Sequence, residues 1–212
     1  MEIAHPKILI AGCGPGAASC VTPEARAAVL QAEVLVGAER LLNLFPEANA
    51  ERIVVRGDAS ATVEAVARNR NRRVVILVTG DPGIASLAAS VLKHFGRDAC
   101  RVIPGVSSVQ TAFARLGLDW IDARILSAHA DTPGIDVGIL SRERKIAILA
   151  GSRTASRWAA GVAEQLGAGW QAFVAENLTL EDERVYGTTS EALRTSVFPP
   201  LSIFLLVRSD CL

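Results

Sequence analysis

Residues 7–16 read Lys7-Ile-Leu-Ile-Ala-Gly-Cys-Gly-Pro-Gly16, an apolar run that leads into a loop rich in glycine. A continuous apolar run closed by glycine is typical of a buried parallel strand that empties into a tight loop. In open α/β folds, ligands bind at loops on the carboxyl edge of the sheet. The stretch therefore predicts an α/β protein with a ligand site at its first loop, although a plain strand-to-helix turn has the same pattern.

The composition of the whole chain limits the classes of function. Half of the 212 residues are apolar and the formal net charge is zero, which argues against a nucleic-acid or membrane-surface protein. The four cysteines form no CxxC pair and have no metal-ligand spacing with the three histidines. Scattered thiols of this kind are typical of the reducing cytoplasm. We therefore expect a cytoplasmic protein without a metal site, a signal peptide or a membrane span.

Two later strands end in turns of the same kind. The apolar run Arg73–Thr79 leads into Gly80-Asp-Pro-Gly83, and the strand Cys100–Ile103 leads into Pro104-Gly-Val-Ser-Ser108. Because parallel strands end at one edge of a sheet, we expect all three loops to converge. Asp81 is the one acid among them, and it could either accept hydrogen bonds from a ligand or cap the following helix, which the pattern predicts from about residue 84 to residue 95.

Strand and helix patterns alternate along the chain and predict two α/β domains. We expect a first domain over residues 1–117 and a second over 118–212, with the seam at Gly117–Ile121. The first sheet should be mainly parallel. Near the carboxyl terminus strands follow one another with little between them, so the second sheet should be mixed. The expected ligand site is a cleft between the two domains.

The glycine loop also matches the dinucleotide fingerprint, since Gly12-x-Gly-x-x-Ala17 fits its spacing. A nicotinamide-dependent oxidoreductase is therefore an alternative. That fingerprint requires a helix that opens on the glycines, so that the helix N-terminus meets a pyrophosphate. Here Thr22 and Pro23 are the N-cap and first-turn signals of a helix that begins later. Pro15 also removes a backbone donor from the loop.

Few side chains are candidates for chemistry. His129 follows a predicted strand, Ala123–Ala128, and is a weak candidate for a general base, so the catalytic residues remain unknown. Arg40 and Arg124 are candidates for binding an anionic substrate. Cys13 is interpreted as a small buried residue rather than a nucleophile. The sequence contains neither a Ser-His-Asp pattern nor a phosphate-loop lysine.

Together the three loop motifs resemble those of the tetrapyrrole methylase superfamily, in the same order and spacing. Within it the chain is most similar to the cobalt-precorrin-7 C5-methyltransferase branch, which is also found as the N-terminal half of fused precorrin-6Y C5,15-methyltransferases. The stretches that carry this closer likeness are Val36–Leu42, Pro104–Gln110, Ala114–Leu118, Ser127–His129, Ala175–Thr179 and Asp182–Arg184. The resemblance implies two α/β domains, S-adenosylmethionine as cofactor and a homodimer.

The resemblance also implies where the ligands bind. The implied cofactor residues are Pro15, Gly80, Asp81, Ile84, Ser107, Ser108, Ala150 and Leu178. For the anionic substrate that the resemblance implies, our candidate contacts are Arg40, Arg124 and His129. Two positions depart from the family pattern. Ala17 stands where an Asp commonly follows the glycine loop, and His129-Ala-Asp131 stands where the branch usually has His-Gly-Arg.

The implied reaction is methylation at C5 of an anionic corrin-ring precursor, cobalt-precorrin-7 or precorrin-6Y, in cobalamin biosynthesis. A C15-methylating, decarboxylating partner would then be a separate chain or a further portion of a fused enzyme. Three alternatives stay open: methylation of another tetrapyrrole position, a NAD(P)-dependent oxidoreductase, and a non-catalytic corrinoid-binding subunit.

Overall fold

The computed structural model describes residues 8–129 and 131–212, so Lys7 and Ala130 of the motifs above lie outside the described residues. Contacts divide the chain into two units, the first ending at Ser107 and the second beginning at Ser108. The sequence places this boundary ten residues later, at Gly117, with the helix at residues 108–115 in the first domain. The apolar side chains of that helix pack against the second sheet instead.

The first unit is built on a parallel sheet. Its strands are β1 (Ile8–Gly12), β2 (Val34–Gly37), β3 (Glu51–Val54), β4 (Val74–Val78) and β5 (Cys100–Ile103). They lie in the order β3-β2-β4-β1-β5, and every pair is parallel. The helices are α1 (Pro23–Leu30), α2 (Glu39–Leu42), α3 (Ala59–Arg68) and α4 (Ala88–Phe95). The order places β1 between β4 and β5, so the three glycine-rich loops leave neighbouring strands.

Helices cover both faces of this sheet, and side chains along each strand point alternately to one face and the other. Along β1, Ala11 packs with α1 and α2, whereas Ile8 and Ile10 pack with α3 and α4. Strands β1, β2 and β4 are buried along nearly their whole length, as expected for parallel strands between two helical layers. The near-continuous apolar runs in the sequence follow from this two-sided burial.

Helix α4 begins at Ala88, four residues later than the sequence pattern predicts. Ala85 adopts a left-handed backbone conformation with φ of 45°, which no residue inside a right-handed helix can have. The Ser86 hydroxyl donates to the carbonyl of Pro82 at 2.6 Å, and the amide of Ala88 donates to the same hydroxyl at 3.1 Å. Residues 84–87 therefore form part of the loop rather than the first turn of the helix.

The second unit contains a mixed sheet, as the sequence predicts. Its strands are β6 (Ala123–Ser127), β7 (Lys145–Leu149), β8 (Trp170–Glu176), β9 (Arg184–Thr188) and β10 (Ser202–Arg208). They lie in the order β6-β7-β10-β8-β9; β6 and β7 are parallel and the other pairs antiparallel. The helices are α5 (Ser108–Arg115), α6 (Val137–Leu140), α7 (Arg153–Leu166) and α8 (Ser190–Thr195).

Helices also cover both faces of the second sheet. Along β10, Phe204 and Leu206 pack with α7 and α8, whereas Ile203 and Leu205 pack with α5. The buried face of the amphipathic helix α5 therefore packs within the second unit. Of the helices in the described part of the chain, none is long and apolar enough to cross a membrane.

Candidate functional site

The three loops of the first unit converge, as the sequence predicts. The amide of Cys13 donates to the carbonyl of Val78 at 2.9 Å. Gly14 and Gly80 form an isolated bridge, in which the Gly80 amide donates to the Gly14 carbonyl at 2.8 Å. We call residues 12–16, 79–83 and 104–107 together the glycine edge. Backbone contact between loops, rather than side-chain packing, joins its first two segments.

The glycines are required because the three backbones approach one another closely. A Cβ atom on Gly12 would lie 2.6 Å from the amide nitrogen of Gly105 and 2.7 Å from the carbonyl oxygen of Gly80. A Cβ on Gly105 would lie 2.7 Å from the carbonyl carbon of Gly12. No side chain fits at these separations without moving backbone. The glycine motifs therefore encode the packing of the edge itself.

Asp81 braces the glycine edge through both carboxylate oxygens. Its Oδ1 accepts a hydrogen bond from the amide of Gly83 at 2.8 Å, and its Oδ2 accepts one from the amide of Gly105 at 3.1 Å. The carboxylate therefore links the second loop to the third. It does not cap a helix, because α4 begins at Ala88 without a side-chain cap. Each carboxylate oxygen has a second lone pair, so Asp81 retains capacity to accept from a ligand.

The dinucleotide alternative fails on the position of the first helix. Helix α1 begins at Pro23, and the Thr22 hydroxyl accepts from the amide of Ala25 at 3.2 Å. A short 3₁₀ turn at Ala18–Cys20 separates the glycine loop from that helix. The positive end of α1 therefore does not open on the glycines, and the arrangement that holds a pyrophosphate in dinucleotide-binding proteins is missing.

The edge does fit S-adenosylmethionine, which carries a sulfonium cation and no phosphate. Pro15 and Pro82 are buried and stiffen the loops, so the edge presents fixed backbone donors and acceptors to a ligand. The Asp81 carboxylate can accept from a ribose hydroxyl or an ammonium group. The half-buried Ile84 follows directly, and its amide donates to the carbonyl of Asp81 at 3.2 Å.

Two further side chains bear on the chemistry of the glycine edge: Cys13 lies within it and Arg40 contacts it. Cys13 is fully buried, and burial raises the pKa of its thiol to about 12; the neutral thiol fits the interpretation as a small packing residue. Arg40, at the start of α2, donates a hydrogen bond to the hydroxyl of Thr79. Desolvation of its guanidinium lowers the pKa of Arg40 although the side chain remains exposed overall. A cation is thus held at the same edge.

In the second unit, the parallel strands β6 and β7 bring His129 to Ala150. The His129 Nδ1 lies 3.3 Å from the carbonyl oxygen of Ala150. A Cβ on Gly151 would be 2.5 Å from the imidazole ring, so the ring lies directly against that glycine. His129 and Arg124 are both exposed, and in the described residues no ion pair involves Arg124.

In the turn between β8 and β9, both neighbours of Leu178 have an unusual backbone conformation. Asn177 and Thr179, which flank it, both have left-handed conformations, with φ of 47° and 69°. Non-glycine residues in this region store strain, and such strain is concentrated at functional sites. In the sequence, only the family resemblance points to Leu178, and it does not single out the two neighbours. The Asn in Ala175–Thr179 was the one available signal, since Asn tolerates this conformation better than most residues.

The remaining expected positions are placed as follows. Ser107 is buried at the end of the first unit, and Ser108 is half-buried at the first position of α5. Ala17 is half-buried just beyond the glycine edge. Residues 8–129 and 131–212 contain no group of three or more His, Cys, Asp or Glu side chains able to hold a metal ion.

Comparison with known proteins places the chain among relatives of one kind. Residues 7–194 match the model of the family described as Tetrapyrrole (Corrin/Porphyrin) Methylases. Cobalt-precorrin-7 C(5)-methyltransferase from Salmonella typhimurium is 32% identical over 180 residues, which cover 84% of this chain and 89% of the relative.

Solved structures share the architecture. The crystal structure of a precorrin-6Y methylase from Archaeoglobus fulgidus matches with a TM-score of 0.75 and 27% identity, covering 95% of this chain and 98% of that one. A uroporphyrin-III C-methyltransferase from Thermus thermophilus, complexed with S-adenosylhomocysteine, matches with a TM-score of 0.74 and 21% identity, covering 94% and 91% of the two chains. At that identity the second likeness concerns the fold.

Proposed function

The chain belongs to the tetrapyrrole (corrin/porphyrin) methylases, and from this premise we propose that it methylates C5 of a corrin-ring precursor in cobalamin biosynthesis. It is a methyltransferase whose methyl donor is S-adenosylmethionine. The choice of C5 and of cobalt-precorrin-7 is supported by the Salmonella relative, whose name carries both. The observation that carries the proposal on the structural side is the glycine edge, which converges without a phosphate-binding helix end.

The proposed donor contacts combine the edge with three positions of the second unit. In the first unit the edge supplies stiff backbone and the Asp81 carboxylate. The residues that we propose to contact the donor are Pro15, Gly80, Asp81, Ile84, Ser107, Ser108, Ala150 and Leu178. Their support is the match of motif positions to the family and, for the first five, their place at or directly after the converging loops.

Methyl transfer depends on alignment of the methyl donor with the ring carbon more than on acid–base chemistry. When bound, S-adenosylmethionine supplies an electrophilic methyl group, and the conjugated ring carbon is already nucleophilic. The rigid glycine edge contributes by fixing one partner of the reaction, and fixed orientation alone accounts for large rate effects. His129, whose ring is exposed beside Ala150, is our candidate for accepting the proton that leaves afterwards.

The substrate is proposed to be an anionic corrin precursor held by cations. Arg40 is held beside the glycine edge by Thr79, and a guanidinium binds carboxylates in a fixed geometry. Arg124 and His129 are exposed in the second unit and are proposed as further contacts. The departure at Asp131, where an arginine is usual, leaves one expected cation of the branch without a counterpart.

Three aspects of the biological setting belong to the same proposal. We propose a cytoplasmic homodimer, supported by the scattered thiols and by the family resemblance. A second activity that methylates C15 and removes a carboxylate is proposed to act beside this unit. Its support is the likeness of this chain to the N-terminal half of fused C5,15-methyltransferases.

The decisive experiment follows the methyl group. The protein is incubated with S-adenosylmethionine carrying an isotope-labelled methyl group and with cobalt-precorrin-7, in parallel with the metal-free ring, and the product is examined by NMR. We expect label at C5. Label at another ring carbon would reassign the position, and a corrinoid that binds without gaining label would show a non-catalytic subunit.

A further inference from the structure

The turn at residues 177–183, which we call the Leu178 turn, has a buried leucine as its second residue. Leu178 is 4% exposed as a whole residue, and its side chain belongs to the same core cluster as Val109, Ala112 and Phe113 of α5. Within the described residues the amide of Leu178 donates no hydrogen bond and its carbonyl accepts none. Unpaired backbone groups at so buried a residue indicate a position that a ligand completes.

Side chains hold both ends of this strained segment. The amide of Asn177 donates to the carbonyl of Leu201 at 3.0 Å, and its side-chain amide donates to Asp182 at 2.6 Å. On the other side of Leu178, the amide of Thr179 donates to Glu183 Oε2 at 2.5 Å. Because neither flanking residue is glycine, these bonds must offset the cost of two left-handed conformations.

Glu183 is itself fixed by a bidentate partner on another element. Arg115 Nε donates to Glu183 Oε1 at 2.6 Å, and a terminal nitrogen donates to Oε2 at 3.2 Å. Arg115 is the last residue of α5, the helix that begins at Ser108. The hydrogen bond from Arg115 lowers the pKa of Glu183, which stays ionised at neutral pH. The carboxylate therefore connects the end of α5 to the amide that follows Leu178.

We propose that Glu183, held by Arg115, is a positioning residue that keeps the backbone of Leu178 in its ligand-binding geometry. The pair then controls affinity for S-adenosylmethionine and leaves the rate of methyl transfer nearly unchanged. This inference rests on the proposed function, in which Leu178 contacts the methyl donor. It assigns neither Arg115 nor Glu183 a contact with donor or substrate.

The test measures binding of S-adenosylhomocysteine by calorimetry to the wild type, Glu183→Ala, Glu183→Gln and Arg115→Met. Glu183→Ala removes the acceptor for the Thr179 amide, so we expect roughly tenfold weaker binding. Glu183→Gln keeps an acceptor, so its affinity should lie between that of the wild type and that of Glu183→Ala. In steady-state assays, KM for the donor should rise in parallel, while kcat at saturating donor and KM for the ring substrate stay near wild-type values.

Glu164→Gln is the matched control, because Glu164 and Arg194 form an ion pair of 2.5 Å elsewhere in the same unit. It should bind the donor analogue like the wild type. If Glu183 variants bind as tightly as the control, the positioning role is wrong while the proposed function stands. If the wild type does not bind S-adenosylhomocysteine at all, the proposed function fails first.

Folding is checked independently of activity. Amide hydrogen exchange of Thr179 should accelerate in Glu183→Ala while exchange in β8 and β10 is retained. Should Glu183→Ala fail to fold, Arg115→Lys gives the same test, because it keeps one cationic donor but cannot form the bidentate pair. Equal loss of binding and of global stability in Arg115→Lys would contradict the proposal.

Discussion

The glycine edge and the Leu178 turn solve the same problem in opposite ways. Both hold backbone in a shape that ordinary strands and helices do not offer. In the glycine edge, missing side chains let three loops touch, and a Cβ on Gly12 would lie 2.6 Å from the amide nitrogen of Gly105. In the Leu178 turn, Asn177 and Thr179 are left-handed without being glycine, and the side chains of Asp182 and Glu183 supply the restraint. The first is rigid through contact and the second through hydrogen bonds.

The largest expected effect comes from adding a side chain at Gly12, where the loops touch. Gly12→Ala places a methyl group against the backbone of two other loops, so we expect a loss of roughly 3 kcal/mol or more of unfolding free energy. Chemical denaturation monitored by circular dichroism measures it. Gly161→Ala, within α7 and without a heavy atom within 4 Å of its Cβ, should instead stabilise by about 0.5–1 kcal/mol. Equal effects of the two substitutions would contradict the account of the edge.

Removing the brace of the edge should have the next largest effect. Asp81→Ala leaves the amides of Gly83 and Gly105 without their acceptor, at a cost of about 1–3 kcal/mol. Urea denaturation gives the stability, and amide exchange of Gly105 in the ligand-free protein gives the local effect. Unchanged exchange at Gly105 would mean that Asp81 acts on a ligand alone.

Acid should reduce the contribution of the Leu178 turn to folding stability, because Glu183 becomes protonated. Its pKa is lowered from the ordinary 4.5, first by the hydrogen bond from Arg115, so the folded state favours the ionised form. The contribution to stability is therefore fully present above pH 4.5 and is lost as the pH falls through the lowered value. Melting temperatures of the wild type and Glu183→Gln should differ at pH 7, and the difference should shrink as the pH falls below 4.5. A difference that does not change with falling pH would exclude the ionised carboxylate as its source.

The smallest effect tests the one left-handed non-glycine residue described next to the glycine edge. Ala85 is exposed and has φ of 45°. Ala85→Gly relieves that conformation, which costs about 1 kcal/mol for an L-residue, and glycine offsets part of the gain by loosening the unfolded chain. We expect stabilisation of less than about 1 kcal/mol, seen as a small rise in melting temperature. A clear destabilisation would mean that the Ala85 methyl group makes a contact that outweighs the strain.

Sequence reasoning succeeded where a local rule has a single structural outcome. Glycine and proline after an apolar run predicted the loops and their convergence, because parallel strands end at one edge. Thr22 and Pro23 predicted the late start of α1, which excluded the dinucleotide alternative. The start of α4 could not be predicted, since Ala85 has no intrinsic preference for a left-handed backbone and only the surrounding loop imposes it.

By itself, the sequence determined the two α/β units, the parallel and mixed sheets, and a methyltransferase family recognised from three loop motifs. Tertiary structure alone decided that α5 packs on the second sheet, that Asp81 ties one loop to another, and that Arg115 reaches Glu183. The physical reason is the separation along the chain over which each interaction acts. Glycine, proline and capping residues act on backbone within a few positions, whereas Arg115 and Glu183 are 68 residues apart and meet only once the sheet is formed.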